Sequence, residues 1–190
     1  MKKLFSPNLY LALMHYPVVN KAGDVITSAV TNLDLHDIAR AGKTFGVKAY
    51  YVVTHLSDQK VLVERIAGHW TTGIGGKINP KRCEALNLIK LKDSLKEVVE
   101  DIEANNDGKV KIIVTSAREH PSVTRFEKMR EIIGDGQPYL LTFGTAWGLT
   151  EEFVETSDYI LEPITGVSDY NHLSVRSAAS IILDRLTRQM

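Results

Sequence analysis

The stretch TNLDLHDIARAGKTFGVKAYYVVTH, residues 31–55, joins a helix pattern directly to a strand pattern. Apolar Leu35, Ile38 and Phe45 recur on one face at helical spacing, so we predict a helix over 31–46. The rest of the stretch is a run of apolar, β-branched and aromatic residues, which is typical of a buried strand.

Both ends of this predicted helix carry boundary signals. Asp34, with Asp37 three residues later, resembles a capping arrangement, and Gly46 is the residue type that commonly stops a helix. A strand pattern, LYLALMHY at 9–16, precedes the helix, and KAYYVVTH at 48–55 follows it. A strand, a helix and a strand in this order predict a parallel βαβ unit.

The same alternation continues to the end of the chain, so we expect an α/β fold with a mostly parallel sheet flanked by helices. The glycine-rich, basic segment 69–86 predicts a mobile loop. We expect one domain over 1–190, because this length and 44% apolar composition suit a single core. Further strands are predicted at 88–92, 109–117, 137–144 and 159–163, and further helices at 93–106, 122–133, 149–156 and 173–187.

Composition narrows the class of protein. No apolar run reaches about 18 residues and the N-terminal segment lacks an export signal, so we expect a soluble, cytoplasmic protein without a membrane segment. The single cysteine, Cys83, excludes an intramolecular disulfide framework and a cysteine-clustered metal site. The histidines show no paired ligand spacing, and we predict no metal.

Charge is divided unevenly along a chain whose net charge is zero. Residues 1–90 hold 12 Lys and Arg against 6 Asp and Glu, while residues 91–190 hold 11 against 17. This asymmetry is compatible with a surface that contacts a polyanion, and equally with charges that interleave after folding.

Ligands of parallel sheets bind beyond the carboxyl ends of the strands, which directs attention to the loops after Thr115, Phe143 and Pro163. In FGTAWGL, Gly144 and Gly148 would let the backbone approach a ligand, although a tight strand-to-helix turn is the alternative. Neither this segment nor GIGGK at 73–77 matches a dinucleotide or phosphate-loop motif.

Three segments together resemble the SpoU branch of the SPOUT class of S-adenosylmethionine-dependent RNA methyltransferases. DLHDIARAGKTFGV at 34–47 resembles the first motif, with Arg40 at the catalytic arginine and Asp34 where asparagine is usual. LLTFGTAWGLTEE at 140–152 resembles the second motif, with more closely spaced glycines. The third motif is matched by the segment 162–186, through Pro163, Gly166, Asn171 and Ser174.

The resemblance covers nearly the whole chain and implies a C-terminal deep trefoil knot with S-adenosylmethionine as cofactor. It implies that the cofactor lies among the three loops chosen above, held largely by backbone groups. The implied cofactor-binding residues are Thr115, Ser116, Gly144, Thr145, Gly148, Ile164, Gly166, Leu173 and Ser174.

The resemblance also implies catalytic roles. Arg40 would hold a substrate phosphate or polarise the attacked group. If the nucleophile is a ring nitrogen, Asp34 or Asp169 would accept the departing proton. Asn171 or Ser174 would orient the nucleophile. The alternatives are a solvated Arg40 that pairs with Asp37, and helix capping by Asp169 and Asn171.

The partners that the resemblance implies are RNA, either tRNA or rRNA, and a second copy of the chain in a homodimer, where Arg40 would serve the partner's cofactor. RNA contacts are expected from Trp70, Lys77, Lys81 and Arg82. Two alternatives stay open at this point: a cofactor- or RNA-binding module without catalysis, and a flavodoxin-like nucleotide-binding protein.

Overall fold

The computed structural model describes residues 7–188, so residues 1–6 and 189–190 of the predicted domain lie outside it. Six parallel strands form one sheet in the order β5-β4-β1-β7-β6-β8, and an antiparallel hairpin pairs β2 with β3. The strands are β1 (Leu9–Met14), β2 (Val18–Val19), β3 (Val25–Ile26), β4 (Tyr50–Val53), β5 (Ile89–Lys92), β6 (Lys111–Val114), β7 (Tyr139–Gly144) and β8 (Tyr159–Ile160).

Helices cover both faces of the sheet, which confirms the predicted α/β architecture. One apolar cluster holds buried side chains of α1, α2, α4, α6 and α8, and the other holds those of α5 and α7. The helices are α1 (Asn32–Thr44), α2 (Ser57–Thr71), α3 (Ile74–Ile78), α4 (Pro80–Leu86), α5 (Leu95–Glu103), α6 (Phe126–Ile132), α7 (Glu151–Glu155) and α8 (Val175–Thr187).

Strand β1 shows why the central strands are continuous apolar runs. Leu9, Leu11 and Leu13 pack into the first cluster, while Tyr10 and Ala12 pack into the second. A strand that is covered on both faces must be apolar at every position, as in buried parallel sheets. The first βαβ unit, β1-α1-β4, is therefore confirmed.

The order of the strands excludes the flavodoxin-like alternative. Counted within the six-stranded sheet alone, the order is 3-2-1-5-4-6, whereas a flavodoxin-like sheet has the order 2-1-3-4-5. The parallel direction places the carboxyl ends of β1, β6, β7 and β8 at one edge. The trefoil knot implied by the resemblance stays a prediction.

The prediction of a mobile loop at 69–86 was wrong, because most of this segment is helical. Asn79 caps α4 by accepting the Arg82 N–H at 3.0 Å, and Pro80 occupies the first turn. A Cβ at Gly75 would lie 2.8 Å from the rings of His69 and Trp70. Glycine is thus required here for close packing, which composition alone does not distinguish from a turn.

The predicted cap of α1 was also wrong in detail. The helix begins at Asn32, and Asp34 lies inside its first turn, where it accepts a hydrogen bond from the Thr31 hydroxyl. Asp37 forms ion pairs instead of capping a backbone group. The predicted stop is confirmed, because Gly46 adopts a left-handed φ of 76°.

The helices α5 to α8 all begin later than the sequence indicated, and α6 begins latest relative to its prediction. Residues preceding α6 remain extended because Thr124 forms a bridge with Leu161, and Glu162 accepts the Phe126 N–H at 2.6 Å. Helix α8 begins only after Ser174, whose hydroxyl accepts the Ser177 N–H. Within residues 7–188 no helix has the length and apolar character needed to cross a membrane.

Candidate active site

A cavity of about 930 Å³ opens at the carboxyl edge of the sheet. Its walls are the loops that follow β6, β7 and β8, together with the segment around Ser28 and Thr31 and the start of α8. This volume lies within the range of sites that hold a nucleoside-sized ligand. The position follows from chain direction, because parallel strands deliver their following loops to one edge.

Eight of the nine residues predicted to bind the cofactor line this cavity, and Gly166 does not. Gly166 lies in the exposed part of the loop between β8 and α8. The eight are Thr115, Ser116, Gly144, Thr145, Gly148, Ile164, Leu173 and Ser174.

The turn after β7 brings backbone close to backbone. A Cβ at Gly144 would lie 2.7 Å from the Leu149 nitrogen and 2.9 Å from the Gly148 carbonyl carbon. Gly148 has a φ of 102°, a conformation that L side chains disfavour. Both glycines are therefore needed for the shape of this wall.

The hairpin β2–β3, which the sequence interpretation missed, holds that turn in place. Val19 donates its N–H to the Gly148 carbonyl at 3.0 Å and accepts the Trp147 N–H at 3.0 Å. The signal was present in the sequence, since VV and VI flank the turn segment NKAGD. Trp147 itself is 56% exposed at the cavity wall.

The loops after β6 and β8 are joined directly. Asn171 donates its side-chain N–H to the Ala117 carbonyl at 3.1 Å, so it bridges the loops and does not cap α8. Thr115 anchors the first loop by donating its hydroxyl to the Thr142 carbonyl at 2.9 Å. Asp169 is exposed and outside the cavity lining.

Two charged residues predicted to be catalytic lie in different environments. Asp34 is buried at the cavity wall, and its carboxylate lies 3.2 Å from the guanidinium of Arg176. Arg40 lies outside the cavity lining, with its side chain 59% exposed and 3.8 Å from Asp37. The structure therefore brings Asp34 and Asn171 to one cavity and leaves Arg40 and Asp169 out of it.

A buried polar chain supports the same wall. His15 Nδ1 lies 2.9 Å from the Ser28 hydroxyl, which is also hydrogen-bonded to the Thr145 hydroxyl. Burial lowers the pKa of His15 from 6.5 to about 4, so its imidazole is neutral at pH 7. Its Nε2 has no hydrogen-bond partner among the residues described.

Sequence reasoning missed Ser28 and Thr31 as parts of the site, and it missed the pairing of Arg176 with Asp34. Ser28 and Thr31 follow the unrecognised hairpin, and Arg176 reaches Asp34 across 142 positions of the chain. A pairing at that separation leaves no local pattern in one sequence. Over residues 7–188, no group of three or more His, Cys, Asp or Glu side chains is arranged to hold a metal ion.

The four residues expected to contact RNA lie away from the cavity, on α2, α3 and α4. The Arg82 guanidinium lies 4.5 Å from the centre of the Trp70 ring, so it covers the face that a base would need. Lys81 pairs with Glu84 at 3.0 Å, and Lys77 is exposed.

The fold is similar to that of solved SpoU methyltransferases. The SpoU methyltransferase AviRb from Streptomyces viridochromogenes superposes with a TM-score of 0.59 at 18% identity, over 97% of this chain and 61% of that chain. That protein has also been solved in complex with S-adenosylmethionine. A likeness at this identity supports the fold.

Residues 8–188 match the family described as SAM-dependent RNA methyltransferase, and the chain belongs to that family. The resemblance, the enzyme class and the cofactor predicted from the sequence are thereby confirmed. An uncharacterized protein of Aquifex aeolicus is 40% identical over 184 residues, which cover 96% of this chain and 90% of that protein.

A second relative has an assigned activity. The tRNA (guanine-N(1)-)-methyltransferase of Oleidesulfovibrio alaskensis is 45% identical over 179 residues, which cover 94% of this chain. The chain spans only 42% of that relative's length. The name describes the whole of that longer protein.

Proposed function

We propose that the cavity at the carboxyl edge of the sheet is the S-adenosylmethionine site and that methyl transfer to RNA takes place at its mouth. The observation that carries this proposal is the convergence of all three motif segments on one cavity of about 930 Å³. The segments are far apart in the sequence, and each contributes residues to the cavity wall.

The lining suits this cofactor chemically. Apolar Ile164 and Leu173 and the backbone around Gly144 offer the narrow, partly apolar surface that an adenosine needs. The carboxylates of Glu151 and Glu162 also line the cavity and would favour a positively charged sulfonium, while Asp34 is paired with Arg176. When bound, S-adenosylmethionine supplies a methyl group that is activated for attack.

The chain's own residues then position the nucleophile and manage its proton. Asp34 is the proposed proton acceptor because it lines the cavity, and exposed Asp169 is the second candidate. Asn171 holds the loops after β6 and β8 together, and Ser174 fixes the start of α8. Both would orient the attacked group indirectly, through the shape of the wall.

Arg40 is proposed to act on the substrate bound to a second copy of the chain, in a homodimer. Its exposed position outside its own cavity supports this role. We further propose that residues 1–190 form a single domain that acts in the cytoplasm, which suits a chain with one cysteine. The named activity of the Oleidesulfovibrio relative makes tRNA the first RNA to test.

The test is transfer of a tritiated methyl group from S-adenosylmethionine to bulk RNA, which is then separated into tRNA and rRNA. Wild-type protein is expected to label one fraction, and Gly144→Ala is expected to label neither. Gly166→Ala is the matched control, since a Cβ at Gly166 meets nothing within 4 Å. Equal labelling by all three proteins would refute the placement of the site, and binding of the cofactor without any labelling would favour the module without catalysis.

A further inference from the structure

A second cavity, of about 410 Å³, lies between α1, α2 and α4 and shares no lining residue with the first. We call it the cationic cleft. Two arginines and two histidines contribute to its wall, and no carboxylate does. The residues that matter here are Asn32 and His36 of α1, Arg65, His69 and Trp70 of α2, and Arg82 of α4.

Within residues 7–188, the two arginines of the cleft lack counter-ions. Neither Arg65 nor Arg82 forms an ion pair within 4 Å there, whereas Arg40 of α1 and Lys81 of α4 pair with neighbouring carboxylates. Two buried nitrogens, Arg82 Nε and His36 Nδ1, have no hydrogen-bond partner in the described structure. Uncompensated guanidinium charge inside a cavity is the arrangement that binds an oxyanion.

The geometry of the cleft is fixed by packing. The Arg82 guanidinium lies 4.5 Å from the Trp70 ring centre, and the rings of His36 and His69 contact Trp70 edge-on at 5.6 and 5.0 Å. A Cβ at Gly75 would collide with His69 and Trp70, so α3 packs directly against these two side chains. Trp70 therefore orients the cationic groups and is not free to stack on a base.

The surroundings of His36 also favour the binding of an anion in the cleft. Burial lowers its pKa first, and the nearby charges of Arg82 and Arg40 lower it further, while Asp37 opposes them. A bound anion would offset the like charges and favour the protonated imidazole. Binding of an anion in this cleft is therefore expected to strengthen as the pH falls.

We propose that the cationic cleft binds a backbone phosphate of the RNA substrate. The first turn of α1 separates the cleft from the cofactor cavity, with Asn32 and His36 on the cleft side and Thr31 and Asp34 on the cavity side. An α-helix with its side chains is about 10 Å across. A strand of RNA that crosses the start of α1 would thus place one phosphate in the cleft and a nearby nucleotide at the cavity.

This inference rests on the proposed function, and the experiment separates the two. The probe is a fluorescein-labelled single-stranded oligouridylate, whose binding is followed by fluorescence anisotropy. We expect Arg65→Gln to weaken binding by about tenfold or more, because a charge-assisted contact is lost. The slope of log affinity against log salt should fall by about one. Lys96→Gln is the control, because Lys96 forms an exposed ion pair with Glu100 on α5. This variant should bind the oligouridylate as wild type does.

The location of the oligouridylate-binding site is tested with the two tryptophans of the chain. Trp147→Phe leaves Trp70 as the sole reporter in the cleft, and its emission should change on addition of oligouridylate. Arg82→Lys retains the charge and should keep part of the affinity, more so at pH 6 than at pH 8. Unchanged binding by Arg65→Gln would overturn the proposal. So would a Trp70 emission that stays the same when oligouridylate is added.

Two further measurements distinguish a failure of the cleft proposal from a failure of the proposed cofactor site. Calorimetric binding of S-adenosylhomocysteine by Arg65→Gln should equal that of wild type, because the cleft and the cavity share no residue. If the cofactor fails to bind either protein while the oligouridylate still requires Arg65, the cavity assignment fails and the cleft stands. A change in sedimenting mass for Arg65→Gln would identify the cleft as a subunit contact and overturn the phosphate proposal.

Discussion

The guanidinium of Arg176 lies 3.2 Å from the carboxylate of Asp34, and this ion pair joins the first turn of α8 to the first turn of α1 beside the cavity. Arg176 also lies 3.6 Å from Asp37. Only 9% of the Asp34 side chain is exposed, so water screens this ion pair little on the Asp34 side. The pair therefore couples the stability of the fold to the shape of the site.

Arg176→Gln is expected to lower the free energy of unfolding by about 2–4 kcal/mol, because it leaves a buried carboxylate without its counter-ion. Urea denaturation measures the change. Arg188→Gln, which breaks the exposed pair with Asp184, is the control and should cost about 0–1 kcal/mol. In the double variant Asp34→Asn/Arg176→Gln the loss should be smaller than the sum of the single losses. Additive losses would show that the two side chains do not act as a pair.

Gly144→Ala is expected to displace the turn at Gly148–Leu149, because its Cβ would meet backbone atoms at 2.7 and 2.9 Å. The unfolding free energy should fall by about 1–3 kcal/mol, and calorimetry should show much weaker binding of S-adenosylhomocysteine. Gly166→Ala, with open space around its Cβ, should match wild type in both measurements. Full affinity in Gly144→Ala would place the cofactor elsewhere.

His15 is expected to make the fold sensitive to mild acid. Its pKa is about 4 in the folded chain, against 6.5 when unfolded, so the unfolded state takes up the proton first as the pH falls. The contribution of His15 to the free energy of unfolding is complete above about pH 6.5. It is lost between pH 6.5 and pH 4, with a limit of about 3 kcal/mol. Denaturation at several pH values should show this slope.

His15→Asn removes the titrating group and can still contact Ser28. The difference in stability between wild type and this variant should therefore change with pH over the same window. A parallel pH dependence in wild type and His15→Asn would rule out His15 as the source.

Arg40→Ala is expected to bind S-adenosylhomocysteine as wild type does and to lose methyl transfer to RNA, since Arg40 lies outside the cavity. If Arg40 serves the partner chain, a mixture of Arg40→Ala and Gly144→Ala subunits should regain activity through mixed dimers with one intact site. No recovery, in a mixture shown to exchange subunits, would contradict action across the dimer.

Local patterns explain what the sequence predicted well. The β1-α1-β4 unit follows from apolar runs that are continuous or helically spaced, and the three ligand loops follow from the rule for parallel strand ends. The resemblance then selected the residues within those loops. Eight of nine line one cavity, since glycine turns and strand ends are themselves short-range features.

Long-range packing explains the misses. The segment 69–86 has the composition of a loop, but its glycines serve close contacts with His69 and Trp70. The Asp34–Arg176 pair and the link from Asn171 to Ala117 join positions 142 and 54 residues apart. Neither pairing has a signature in a single sequence, because only the folded chain brings the partners together.

The placement of the cofactor is best tested by a crystal structure of the protein with S-adenosylhomocysteine. We expect electron density for the ligand in the cavity bounded by Thr115, Gly144 and Leu173, with Asp34 and Asn171 at its wall. Ligand density at any other place on the chain, with this cavity filled only by water, would contradict it.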